Sequence, residues 1–133
     1  MIGRIFVALR DWARRWPVPL WGLWGIGLVV LGWGSLSPSM APPTGIGGIE
    51  LNLDKFIHLG AYAPFSAFAW IMGQPPRRAW LFSLFMFGLG MVYEGGQAYV
   101  PGRSASWDDL LANALGVALG VLIGRKIASL RRR

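Results

Sequence analysis

Asp54, His58 and Tyr62 recur every four residues in the stretch NLDKFIHLGAYAPF, residues 52–65. That spacing puts a carboxylate, an imidazole and a phenol on one helix face. At a rise of about 1.5 Å per residue, His58 lies about 6 Å and Tyr62 about 12 Å further along the helix than Asp54. Lys55 falls off this face, with a stem long enough to reach water. A second group is Glu94 and Gln97 in YEGGQAYV. Three residues apart, they are neighbours on a helix surface, and Gly95 and Gly96 remove bulk beside them. A third is WDDLLANALGVALG, where Asp109 and Asn113 share a face that continues through Gly116, Gly120 and Gly124. Small residues at every fourth position form a helix-packing face. Asp109 and Asn113 should therefore point at neighbouring helices.

These residue types suit three kinds of chemistry. His58, Glu94 and Asp109 are candidates for acid/base catalysis. Asp54, His58, Glu94 and Asp109 are candidate ligands for a divalent metal, since oxygen-rich sets with one imidazole accept magnesium, manganese or zinc. Arg103 and Lys55 suit an anion such as a phosphate, with His58, Gln97 and Asn113 as further donors. Neither His-Glu-x-x-His nor Gly-x-Ser-x-Gly occurs in the chain, so no compact metalloprotease or serine-nucleophile motif supports catalysis.

The elements that must carry these residues are apolar. Of 133 residues, 54% are hydrophobic, with 8 Trp and 19 Gly, and the apolar residues come in blocks rather than in alternating stripes. Four blocks, 18–36, 56–72, 79–99 and 110–130, approach the roughly 20 residues that a membrane-spanning helix needs. The expected fold is an all-α membrane protein, a single domain over 1–133 built as a bundle of four transmembrane helices. The stretch 1–16 is basic and amphipathic and should lie on the membrane surface. A basic start, the apolar run 18–36 and SPSMA at 37–41 together also resemble a secretory signal peptide, but the apolar run is longer than a usual signal core and rich in Trp. Trp16, Trp21, Trp24 and Trp33 read as interfacial anchors and packing residues. The Pro/Gly-rich linker 37–53 should be irregular. Absence of Cys excludes disulfides and thiolate metal sites.

Charge orients the bundle. Arg4, Arg10, Arg14 and Arg15 precede the first block. Arg77 and Arg78 separate the second and third, and Arg125, Lys126, Arg131, Arg132 and Arg133 close the fourth. Lys55 and Arg103 alone fall on the other side. The positive-inside rule then places both termini in the cytoplasm and the polar groups of the last three blocks near the outer face, where they should share a single outward-facing polar pocket. The net charge of +7 is thereby accounted for without nucleic acid.

The polar residues also carry a resemblance. DKFIHLGAY, EGGQ and PGRSASWDDLLANALGVALG are similar to the VanZ-like family of small bacterial membrane proteins. Its pattern is Asp-Lys-x-x-His-x-x-x-Tyr, then Glu-x-x-Gln, Pro-Gly-Arg and Asp-x-x-x-Asn-x-x-Gly. The match runs over approximately residues 50–125 and picks out Asp54, Lys55, His58, Tyr62, Glu94, Gln97, Arg103, Asp109, Asn113 and Gly116. Asp108 lies outside the pattern. The resemblance implies a multi-pass protein of the bacterial plasma membrane. The family is named for a link to resistance against teicoplanin, a glycopeptide that binds cell-wall precursors; that role is not implied for this chain.

Three functions fit these residues. The first is recognition of an anionic lipid or cell-envelope precursor head group, such as a phospholipid or a polyprenyl phosphate. The ligand would be bound by Asp54, Lys55, His58, Tyr62, Glu94, Gln97, Arg103, Asp109 and Asn113. The second is a membrane-embedded enzyme, metal-assisted or acid/base, acting on a lipid phosphate. The third is a structural polar network that fixes helix register. Four short helices make a thin bundle, so the bilayer is one partner and a second copy or another membrane protein is a further candidate.

Overall fold

Each helix starts before its apolar run does. The computed structural model describes residues 5, 8, 11, 12, 15–40, 45, 46, 49, 50 and 53–130. Among them are four long helices: α1 (Pro17–Leu36), α2 (Leu53–Ile71), α3 (Pro76–Gln97) and α4 (Trp107–Ser129). The first turn of a helix has unpaired N–H groups, so it tolerates proline and polar residues that an apolar window leaves out. Pro76 opens α3 in this way. Ser106 caps α4 by accepting the Asp108 N–H at 3.2 Å, and Asp108 and Asp109 sit in the first turn, where the helix dipole favours negative charge. The linker 37–53 holds a short 3₁₀ turn at Pro38–Met40 and an antiparallel pair in which Gly45 faces Glu50 and Ile46 faces Ile49. The expected surface segment 1–16 lies largely outside the described residues, as do Arg131, Arg132 and Arg133.

Two glycines shape the connections. Gly73, with φ of 70°, ends α2. Its N–H reaches the Trp70 carbonyl and that of Gln74 reaches Ala69, both at 3.1 Å. This is the paired closure that a left-handed residue permits. Gly102, with φ of 79°, takes the third position of a turn closed by Arg103 N–H to Val100 O at 3.1 Å. A positive φ there is what a type II turn with Pro101 before it requires.

The tightest packing joins α2 and α4. A Cβ placed on Gly116 would lie 2.6 Å from the Leu59 carbonyl oxygen, and one on Gly124 would lie 2.7 Å from the Trp70 Cβ. One on Gly120 would run into the Ala63 carbonyl. The successive pairings 59–116, 63–120 and 70–124 rise together, so the two helices run parallel. Trp70 bonds Ser83 while Gly90 faces Tyr62, so α3 runs opposite to α2. Trp24 packs near Phe65 and Trp21 edge-on against Phe68, so α1 is also antiparallel to α2. Alternation collects Arg15, Arg77, Arg78, Arg125 and Lys126 at one end. Asp54, Glu94, Arg103 and Asp109 gather at the other.

The outside of the bundle is apolar. Leu23, Ile26, Val29 and Val30 of α1 and Leu111, Leu115, Leu119 and Leu122 of α4 are exposed. Contiguous apolar surface of this kind does not suit water. Helices α1 and α4 are long and apolar enough to cross a membrane, with mean hydropathies of 1.4 and 1.6. Helices α2 and α3 carry Asp54, Lys55 and His58, and Arg77, Arg78 and Glu94, which lower their apolar content. The tryptophans divide. Trp21 and Trp24 pack edge to face at 5.6 Å inside the bundle, whereas Trp16 and Trp33 are exposed.

The seam between α2 and α4 yields a direct test. Gly120→Leu should destabilise the bundle by at least the roughly 1–3 kcal/mol typical of overpacking, read as a lower melting temperature in detergent. Gly22→Ala, where a Cβ meets nothing within 4 Å, should leave it unchanged or raise it. Equal melting of the Gly120→Leu variant and the parent protein would refute the seam.

Candidate functional site

The seam between α2 and α4 extends one turn toward the acidic end, and there it becomes polar. Asn113 precedes Gly116 on its face of α4, and His58 precedes Tyr62 on its face of α2. They meet: His58 Nδ1 lies 2.9 Å from Asn113 Oδ1. An amide oxygen only accepts, so this bond needs the proton on Nδ1, and in the neutral ring Nε2 is then the open nitrogen. One turn further out, Lys55 Nζ lies 3.5 Å from Asp54 Oδ2 and 3.8 Å from Asp109 Oδ1. Lys55, its side chain 31% exposed, therefore links α2 to α4 while still touching water. Its four-carbon stem spans the angular offset from the Asp54 face.

Helix α3 adds the third wall. Gly90 leaves room for Tyr62 and Asn113, since a Cβ there would sit 3.1 Å from the Tyr62 ring and 3.3 Å from Asn113 Nδ2. One turn on, Glu94 is 5% exposed, and its Oε1 accepts the Ser106 N–H at 2.5 Å. The segment Ser106-Trp-Asp-Asp109 has the form of a capping box, in which the fourth residue would reach back to the N-cap N–H. Glu94 takes that N–H from another helix, and Asp109 is left free for the interior. Asp109 is 7% exposed and Asn113 1%.

Three helices thus each deliver one ligating group. One ligand atom of each of His58, Glu94 and Asp109 lies within 4.8 Å of the others. Asp54 pairs with Lys55 at the edge of this cluster. Several buried atoms around it have no hydrogen-bond partner among the described residues. They are Tyr62 Oη, Glu94 Oε2, Gln97 Nε2, Arg103 Nε and Asp109 Oδ1. Buried polar groups are ordinarily satisfied, so this concentration at one end of the bundle marks a place built for something besides packing.

A cleft of about 490 Å³ lies beside the cluster. The sequence suggests a pocket between the outer ends of α2, α3 and α4, but the cleft opens between α1 and α2. Val30, Leu31, Trp33 and Ile57 form its apolar wall, and Asp54, His58, Tyr62 and Arg103 are its polar lining. Glu94, Gln97, Asp109 and Asn113 are buried and do not line it. Arg103 is placed by the Pro101-Gly102 turn. It donates from Nη2 to the Gly34 carbonyl near the end of α1, so it ties α1 to the α3–α4 connection while bordering the cleft.

Some contributors had no signature in the side-chain pattern. The Gly34 carbonyl is a backbone acceptor near a helix end, available in any sequence. Tyr93 donates to the Leu28 carbonyl at 3.5 Å and packs where Gly32 lacks a side chain. Gly90 could have been found from its place one turn before Glu94.

The geometry stands beside one family-level match. The family model described as VanZ/LLP1 matches residues 17–129, which includes all four helices. No curated protein and no solved structure matches the chain.

Proposed function

Because the chain belongs to the VanZ/LLP1 family, a family of membrane proteins, we propose that it spans the bacterial plasma membrane four times and recognises an anionic lipid head group at the outer face. The alternating helix directions and the collection of Arg15, Arg77, Arg78, Arg125 and Lys126 at one end support this topology through the positive-inside rule. So do exposed aromatic residues at both ends. Trp33, Tyr99 and Trp107 lie at the acidic end and Trp16 and Trp80 at the basic end, where interfacial rings belong.

The observation that carries the lipid reading is Arg103 at the polar margin of an apolar-walled cleft. Its guanidinium has five N–H donors. One bond goes to Gly34, and Nε is buried without a partner among the described residues. A phosphate oxygen satisfies such a donor with a charge-assisted bond. The wall favours a lipid over a free phosphate. Val30, Trp33 and Ile57 line the cleft and are exposed, so it is open toward the hydrocarbon. A head group can enter sideways with its first methylenes against that wall. A phospholipid and a polyprenyl phosphate share this chemistry.

Two measurements test the proposal. Purified protein in neutral detergent should bind fluorescent phosphatidylglycerol or a short polyprenyl phosphate. Arg103→Ala should weaken binding by about tenfold or more, the loss of a charge-assisted hydrogen bond. Ala61→Leu should narrow the cleft and weaken binding without touching the arginine. Equal binding by all three proteins, or binding by none, removes the lipid reading. For topology, the Cys-free chain allows single-cysteine labelling. Ser39→Cys should react with an impermeant maleimide in intact cells, and Gln74→Cys only after permeabilisation. The reverse pattern inverts the orientation.

A further inference from the structure

The lipid reading leaves two buried carboxylates unexplained. Glu94 and Asp109 sit close together, both more than nine-tenths buried. Each keeps one oxygen, Oε2 and Oδ1, without a hydrogen-bond partner among the described residues. The cations nearby hydrogen-bond neither of these two oxygens. Lys55 Nζ divides between Asp54 at 3.5 Å and Asp109 at 3.8 Å, the second beyond hydrogen-bond length. Arg103 turns to the Gly34 carbonyl. Two carboxylates so placed in a low-dielectric interior repel each other and call for a cation or a shared proton.

We propose that His58, Glu94 and Asp109 bind a divalent cation, zinc or manganese. Three features favour a metal over a shared proton. The first is the third ligand. An imidazole nitrogen lies in the same 4.8 Å cluster, which a proton held between two carboxyls would not need. The second is the partner on the other ring nitrogen. His58 Nδ1–H donates to Asn113 Oδ1 at 2.9 Å, the outer-shell bond that fixes a metal-binding histidine with Nε2 bare. The third is the support of Glu94. Its Oε1 is held by the Ser106 N–H, which fixes the carboxylate while Oε2 keeps no partner among the described residues.

The donor set selects the ion. One nitrogen and two carboxylates suit zinc or manganese, whereas magnesium prefers all-oxygen shells with water. Two negative charges match one divalent ion. Three protein ligands leave coordination positions open, and His58 also lines the cleft. The inference stands apart from the lipid reading, because it rests on the carboxylates and not on Arg103.

The test uses the whole protein in detergent, stripped with chelator and then titrated with ZnCl₂ or MnCl₂ without lipid. Calorimetry should show one ion per chain and a higher melting temperature in its presence. Glu94→Gln and Asp109→Asn keep the side-chain shape and should each weaken binding by about tenfold or more. Asn113→Ala, acting through His58, should cost about 10–100-fold. If a variant fails to fold, X-ray absorption on the wild-type protein decides: one imidazole with carboxylate oxygens supports the site, and any other shell overturns it. Failure of the wild-type protein to take up either ion, or equal uptake by Glu94→Gln and Asp109→Asn, overturns it. So does a protonated-carboxyl infrared band that persists with both ions present and disappears in Glu94→Gln, which assigns the pair to a shared proton. Metal uptake without lipid binding sustains this inference while removing the lipid one.

Discussion

The backbone approach of α2 and α4 is the constraint from which the site follows. In a bilayer there is little hydrophobic force between helices, because lipid tails are as apolar as leucine. Close fit and interhelical hydrogen bonds must hold them together. Gly116, Gly120 and Gly124 let the α4 backbone settle against Leu59, Ala63 and Ala67 of α2. At that separation the next residues outward on each helix are within hydrogen-bond range. His58 and Asn113 take up that contact. A larger residue in the seam would hold the helices apart and leave the buried Asn113 and the half-buried His58 without each other.

The helices share the remaining work unequally. Helix α3 supplies Glu94, whose bond to the Ser106 N–H both caps α4 and frees Asp109 from that task. Helix α1 packs through Trp21 and Trp24, with the Trp24 indole donating to the Phe65 carbonyl at 3.2 Å. Its outer end contributes a wall of the cleft and the Gly34 carbonyl that anchors Arg103. The basic end is built differently. The Arg125 guanidinium lies 5.7 Å from the Trp70 ring and 6.0 Å from that of Trp80, where cation and aromatic faces attract. Polar chemistry therefore concentrates at one end of the bundle, and stacking with basic charge at the other.

Much of this was legible in the residues. Four-residue spacing placed Asp54, His58 and Tyr62 on one face, and Asp109 and Asn113 on the continuation of the glycine row. A face is a property of one helix, and periodicity reports it well. Contacts between helices were less legible. Lys55 reads as outward from its angle, but its stem bends it back to Asp109. The cleft was expected among α2, α3 and α4; it involves α1, whose lining residues are common apolar types with no pattern to mark them. Backbone partners such as the Gly34 carbonyl and the Ser106 N–H exist in every chain, so side-chain types cannot announce them. The polar first turns of α2, α3 and α4 extended those helices beyond their apolar runs for the same reason: capping is local chemistry that a hydropathy window averages away.

Separate helices share one hydrogen-bonded interior at this end of the bundle. A double-mutant cycle between His58→Ala and Asn113→Ala, followed by reversible unfolding in mixed micelles, measures that link directly. Interhelical hydrogen bonds in membranes couple by about 0.6 kcal/mol on average and up to about 1.7. A shared interior gives a coupling within that range, with each single variant removing most of what the pair removes. Strictly additive losses would place the two side chains in separate surroundings and contradict it.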